Sequence, residues 1–121
     1  MSRSLEVARP FSGCVVVVVM DRPLGSRHPR HGSKYGGFVY RANYGYIPGT
    51  LAPDGEPLDA HVLGVAEPLA RAEGVVIAIV HRFDDDDDKL VVVPNGRTLS
   101  DAEIADAVQF QEQFFKTCIV R

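Results

Sequence analysis

Cysteine is nearly absent. Cys14 and Cys118 are the only two in 121 residues, and two cysteines make no disulfide framework. Both stand in apolar stretches and are expected as buried free thiols. Long apolar runs are missing as well. The run Cys14–Met20 has seven residues, too few to span a bilayer. Asp21-Arg22-Pro23 follows it where a signal peptide would place small residues. A cytoplasmic protein with no membrane partner is expected. There is no basic excess: net charge is −3 and the pI about 5.7, so no nucleic-acid partner is expected. The chain has no repeat and no linker, and its length suits one domain, 1–121.

What is present is charge, unevenly placed. Residues 22–41 carry Arg22, Arg27, Arg30, Lys34 and Arg41 and no acid, while acids cluster at 54–59 and 84–88. A basic segment and two acidic clusters in one small domain suit an anion held beside cations.

Strand signals dominate. VVVVVM (15–20) is a continuous β-branched run, expected to be buried on both faces. Residues 21–39 read as loop, and 40–47 as an irregular strand with a tight bend. In PLDAHVLG (57–64), Leu58, Ala60 and Val62 alternate with Asp59, His61 and Leu63. A period of two puts Asp59 and His61 on the face opposite the apolar set. GVVIAIV (74–80) and KLVVVP (89–94) are further strands, the latter limited by Pro94. One helix is clear. Ser100 and Glu103 form a capping box, Asp101 and Glu103 complement the positive end of the helix dipole, and Ile104, Ala107, Val108, Phe110, Phe114 and Phe115 make an apolar stripe. The expected fold is mainly β (α+β): a small OB-like β-barrel, closed or partly open, with one C-terminal helix packed on it.

Two stretches carry chemistry. In PDGEPLD (53–59), Asp54, Glu56 and Asp59 lie close in sequence around Gly55 and Pro57. Two unit charges 4 Å apart repel by roughly 1 kcal/mol in water and about 4 at an effective dielectric near 20. A hard divalent cation would remove that conflict, and all-oxygen ligands favour Mg²⁺, with Mn²⁺ also suitable, over Zn²⁺. A plain Asp-Gly turn accounts for Asp54 and Gly55 but not for Asp59 in a strand. In DDDDDKLVVVP (84–94), five aspartates precede a buried-looking strand. A solvated loop tip is the plain reading, and a metal-bearing loop is the functional one. Among the histidines, His28 and His31 lie in the basic loop, His61 shares a face with Asp59, and His81 falls at a strand end. None is expected as a metal ligand.

NYGYIPGTLAPDGEPLDAHVLG (43–64) resembles the signature of the family I soluble inorganic pyrophosphatases, N-Y-G-[FY]-I-P…D-G-[DE]-P-[LV]-D. DDKLVVVP (87–94), QFQEQFFK (109–116) and VVVVVMDRPLGS (15–26) are similar to further segments of the same family, in the same order. The resemblance implies Mg²⁺-dependent hydrolysis of pyrophosphate to two phosphates by a metal-activated water. It implies metal ligation by Asp54, Asp59, Asp84 and Asp87, with Asp21 as the acid ending the first strand. It implies Glu56 as general base supported by Tyr44, and phosphate contact by Tyr40, Lys89 and Lys116. Family members often form homo-oligomers.

The chain departs from the pattern mainly on the side that grips phosphate. The stretch between Asp21 and Tyr40 is shorter than in the family and lacks a hairpin carrying K-x-E and an arginine. Arg30 is the substitute named here, with Arg27 and Arg41 as alternatives. Phe115 stands where the family has a tyrosine. Lys116 has two readings: it snorkels toward the site or caps the helix C-terminus. Two other functions are open: hydrolysis of a larger phosphoanhydride such as a nucleotide or polyphosphate, and a non-catalytic module binding metal and phosphate.

Overall fold

The computed structural model describes residues 3–28 and 38–121. A short helix α1 (Arg3–Ala8) and a 3-10 turn (Arg9–Phe11) lead into β1 (Val15–Arg22), β2 (Asn43–Tyr46), β3 (Asp59–Val62), β4 (Arg71–Arg82) and β5 (Lys89–Val93). Then come α2 (Asp101–Glu112) and β6 (Thr117–Val120). β1 pairs with both β2 and β4, so the order β1-β2-β3-β5-β4 closes on itself, and β6 adds to the outside of β4. β3 runs parallel to β5 and the other paired strands are antiparallel. This is the expected OB-like barrel. Helix α1 and strand β6 go beyond the sequence reading, because segments this short show no decisive period.

Two cores lie on the two faces of the sheet. The first draws Val16, Val18, Ala60, Val62, Val76, Ile79, Leu90 and Val92 from four strands and fills the barrel. Helix α1 packs against it through Leu5, Val7 and Ala8. The second joins Tyr44, Ala78, Val80, Val91 and Val93 to Ile104, Val108 and Phe110 of α2, outside the barrel. The alternation in β3 therefore holds: Ala60 and Val62 face the first core, and Asp59 and His61 face the other way.

Two irregularities set the site. β1 slips register between Met20 and Arg22, leaving Asp21 unmatched opposite β2. Gly45 faces this slip, and any Cβ there would strike the Val19–Met20 backbone. β4 slips between Val76 and Ala78. A bulge of this kind turns later side chains to the other face. Val76 thus points into the barrel, whereas Ala78, Val80 and Arg82 lie under α2.

Several expectations are corrected. β1 is not buried on both faces: Val16, Val18 and Met20 are buried, but Val17 and Val19 are only half-buried and Val15 is exposed. Its outer side is left partly open. Both cysteines are exposed, because Cys14 precedes the buried part of β1 and Cys118 sits on the outer strand β6. The Ser100–Glu103 capping box forms in both directions, at 3.1 and 2.9 Å. The helix, however, ends at Glu112, so Lys116 lies beyond it and neither helical reading of that residue applies. Lys116 is exposed, with its N–H donated to Asp84 Oδ2 at 3.1 Å and its carbonyl accepting from Phe83.

Candidate active site

A cavity of about 440 Å³ opens where the ends of β1, β4 and α2 meet the starts of β3 and β5. Its wall includes Asp21, Tyr40, Tyr44, Asp59, Asp87 and Lys89, six of the residues singled out from the sequence. Volumes of this order suit small-molecule sites.

Lys89 is the hub. Its side chain is 2% exposed, and its Nζ stands 2.8 Å from Asp59 Oδ2 and 2.8 Å from Asp87 Oδ2. Two carboxylates from segments far apart in sequence thus converge on one point. Tyr44 donates its hydroxyl to the same Asp59 oxygen at 2.9 Å. The tyrosine named as a support for Glu56 therefore holds Asp59 instead. Burial opposes the charge on Lys89, but Tyr44 and the two aspartates outweigh it and hold its pKa above the ordinary lysine value. Burial, reinforced by Asp59, raises the Tyr44 pKa, and burial raises that of Tyr40. Both phenols stay protonated and can donate. Desolvation at the cavity wall, with Asp59 nearby, raises the Asp21 pKa against the pull of Arg22.

Each of the five aspartates has a partner, Arg82 serving three of them. Asp84 accepts from the Lys116 backbone at 3.1 Å, and Asp85 from Arg82 Nη1 at 3.2 Å. Asp86 accepts from the Ser4 N–H of α1 at 2.9 Å, and Asp87 faces Lys89. Asp88 is buried, bonded to His81 at 2.8 Å and to the Arg82 backbone at 3.0 Å. The like charges are thus dispersed among cations, backbone donors and a helix start, while Asp84, Asp85 and Asp86 stay exposed as in a solvated loop tip.

The turn at 54–56 behaves as the plain reading has it. Gly55 has a φ of +86°, and Asp54 Oδ1 accepts from the Glu56 N–H at 2.9 Å. Asp54 and Glu56 are exposed and absent from the cavity wall, as are Asp84 and Lys116. Arg30 and His31 lie outside the described residues. Arg27 and Arg41 are described and do not line the cavity, while His28 does.

Sequence reading missed Arg82, Asp85, Gln111 and Glu112. Arg82 lines the cavity and is almost fully buried. Glu112 accepts from Arg82 Nε at 2.8 Å and Nη2 at 3.0 Å. Glu112 also meets His61 Nε2 at 3.2 Å. Burial opposes the Glu112 charge, but His61 and Arg82 dominate and bring its pKa down to about 2. Burial lowers the His61 pKa. A neutral His61 must then carry its proton on Nε2 to serve the ionised glutamate. A basic residue ending a largely apolar strand was the available signal for Arg82. The β4 bulge that turns it under α2 left no mark in the sequence.

Oxygen-only donors at Asp21, Asp59 and Asp87 suit a hard divalent ion, and the Lys89 ammonium is a cation already seated between two of them. In donor chemistry the residues fit. Among the described residues, no three His, Cys, Asp or Glu side chains stand grouped closely enough to hold a metal.

Comparison with known proteins points one way. A family model described as inorganic pyrophosphatase matches residues 29–119. An inorganic pyrophosphatase of Neisseria meningitidis is 32% identical over 130 residues, covering 86% of this chain and 73% of that protein. One from Aeropyrum pernix is 41% identical over 68 residues, 52% of this chain. The chain spans 38% of the Aeropyrum protein's length in that match. The crystal structure of an inorganic pyrophosphatase from Neisseria gonorrhoeae is similar with a TM-score of 0.62 and 26% identity, over 84% of this chain and 76% of that one. The Thermus thermophilus structure, at 23% identity, shares the fold with a TM-score of 0.61, over 95% and 86%.

Proposed function

The chain belongs to the family I inorganic pyrophosphatases, and on that footing we propose that it hydrolyses inorganic pyrophosphate to two phosphates with Mg²⁺. The observation that carries this reading is the convergence of Asp59 and Asp87 on Lys89 Nζ, each at 2.8 Å, in a cavity also lined by Asp21, Tyr40 and Tyr44. Pyrophosphate hydrolysis needs concentrated negative charge neutralised and donors for a departing phosphate: Lys89 and the two tyrosines supply donors, and the carboxylates would hold the metal that neutralises the charge.

In this reading Asp59 and Asp87, with Asp21 beside them, hold divalent metal. Bound Mg²⁺ supplies charge neutralisation and an acidified water. Tyr44 orients Asp59 through its 2.9 Å hydrogen bond. Lys89 carries three N–H donors, which serve a phosphate oxygen as well as a carboxylate. Tyr40, kept protonated by burial, donates to the same anion. Glu56, three residues before Asp59 but on an exposed turn outside the cavity wall, is assigned the proton of the attacking water on the family pattern alone.

The direct test is phosphate release from pyrophosphate with and without Mg²⁺, in the wild type and Asp59→Asn. Mg²⁺-dependent release that drops at least tenfold in the variant is expected. An Asp59→Asn protein as active as the wild type sinks the reading. Binding of Mg²⁺-pyrophosphate without turnover identifies a non-catalytic module instead.

A further inference from the structure

Arg82 has a firm edge and a loose edge. Its Nε and Nη2 are locked on Glu112 at 2.8 and 3.0 Å. Glu112 is itself buried and fixed by His61 at 3.2 Å and Gln111 at 3.3 Å. Among the described residues, the other edge meets the partly solvated acidic bend, with Nη1 3.2 Å from Asp85 and 3.7 Å from Asp87. Phe115 lies flat against the guanidinium at 3.7 Å, and Arg82, Phe115, Asp85 and Asp87 all line the cavity. An arginine anchored by one edge of its planar fork presents the opposite edge in a fixed plane, the arrangement suited to two oxygens of one phosphate.

We propose that Arg82 is a phosphate ligand of this cavity, its Nη1 edge exchanging Asp85 for phosphate oxygens, with Glu112 as its positioning residue. The proposal rests on the cavity being the pyrophosphate site. It answers the shortage on the phosphate side: Arg82 and Arg22 are the described arginines in the wall. Arg22 is only half-buried and spends Nη1 on the neighbouring Asp21 carbonyl at 2.8 Å. Arg82 comes from the barrel instead of a hairpin, so a shortened 21–40 segment does not remove it. A phosphate carries more charge than Asp85, whose side chain is 36% exposed and can return to water.

The test is binding of inorganic phosphate and of methylenediphosphonate, both with Mg²⁺, measured by calorimetry on the wild type, Arg82→Lys and Arg82→Met. Circular dichroism establishes folding. Arg82→Lys keeps the charge and loses the fork, and is expected to weaken phosphate about 10-fold. Arg82→Met is expected to weaken it about 100-fold. KM for Mg²⁺-pyrophosphate should rise in the same order with a smaller change in kcat, a split that a purely structural role does not produce. A folded Arg82→Lys that binds phosphate like the wild type overturns the assignment. If both variants unfold, wild-type NMR decides. The arginine N–H signals that show contacts with the Phe115 ring must shift when phosphate is added, and unmoved signals overturn the proposal. A wild type that binds neither anion defeats the cavity reading and Arg82 with it. A wild type that binds both, matched by its folded variants, defeats Arg82 alone.

Discussion

Lys89 Nζ lies 2.8 Å from Asp59 Oδ2, and the same oxygen accepts the Tyr44 hydroxyl at 2.9 Å. Lys89 also bridges to Asp87, so one ammonium offsets two carboxylates. Lys89→Met should leave Asp59 without its ammonium and Asp87 with the more distant Arg82 Nη1 at 3.7 Å. Breaking a fully buried pair costs about 3–5 kcal/mol, but these carboxylates are about a third exposed, so a loss nearer 2 kcal/mol is expected. Mg²⁺ should restore part of it. Thermal unfolding with and without Mg²⁺ checks this: the variant's midpoint should rise more than the wild type's. A variant that gains nothing from Mg²⁺ contradicts metal binding at Asp59 and Asp87.

Glu112 gives the fold a pH dependence. Its folded pKa of about 2 lies below the ordinary value of 4.5, through His61 and Arg82 and against burial. A depressed carboxylate stabilises fully above its unfolded pKa, and that contribution disappears as pH falls through the folded one. Its loss should therefore run from about pH 4.5 to about pH 2 and amount to about 3 kcal/mol. Urea unfolding across that window should show a shallower slope in Glu112→Gln than in the wild type. Equal slopes count against the pairing.

Phe115 stands 3.7 Å from the Arg82 guanidinium in the cavity wall. Phe115→Tyr adds one hydroxyl there. One net hydrogen bond is worth about 1 kcal/mol, so KM for Mg²⁺-pyrophosphate should fall about fivefold with little change in stability. Steady-state kinetics and a melting curve measure the two separately. An unchanged KM means that the ring position does not reach the anion.

Glu56 is exposed on a tight turn. Glu56→Gln should leave stability within about 0.5 kcal/mol, as surface changes do. As general base its loss should reduce kcat by about 10²–10⁴, with KM nearly constant. Single-turnover phosphate release reads the chemical step directly. A variant with wild-type kcat assigns proton removal to another group.

Local rules carried much of this fold. The Ser100 capping box depends on residues three apart, and the two-residue period of β3 sends Ala60 and His61 to opposite faces. Both are short-range and readable. The end of α2 was not: the apolar stripe runs on to Phe115, yet the helix stops at Glu112, where Phe114 and Phe115 turn toward the cavity. Just beyond it the backbone of Lys116 is held by Phe83 and Asp84, more than thirty positions earlier.

The site divides in the same way. By itself the sequence determined which groups could act: Asp59, Lys89 and Tyr44 in strands whose character follows from local pattern, and Asp87 and Tyr40 in the segments just before two of those strands. Tertiary structure alone decided who meets whom. The slip in β4 turned Arg82 beneath α2, Glu112 locked it there, and α1 reached back to hold Asp86 and Asp88. Ser4 and Asp88 are 84 positions apart, and no periodicity encodes a contact at that range. Such pairs are selected by the burial of both cores at once, because a charge drawn inside must find its partner wherever the closed sheet places one.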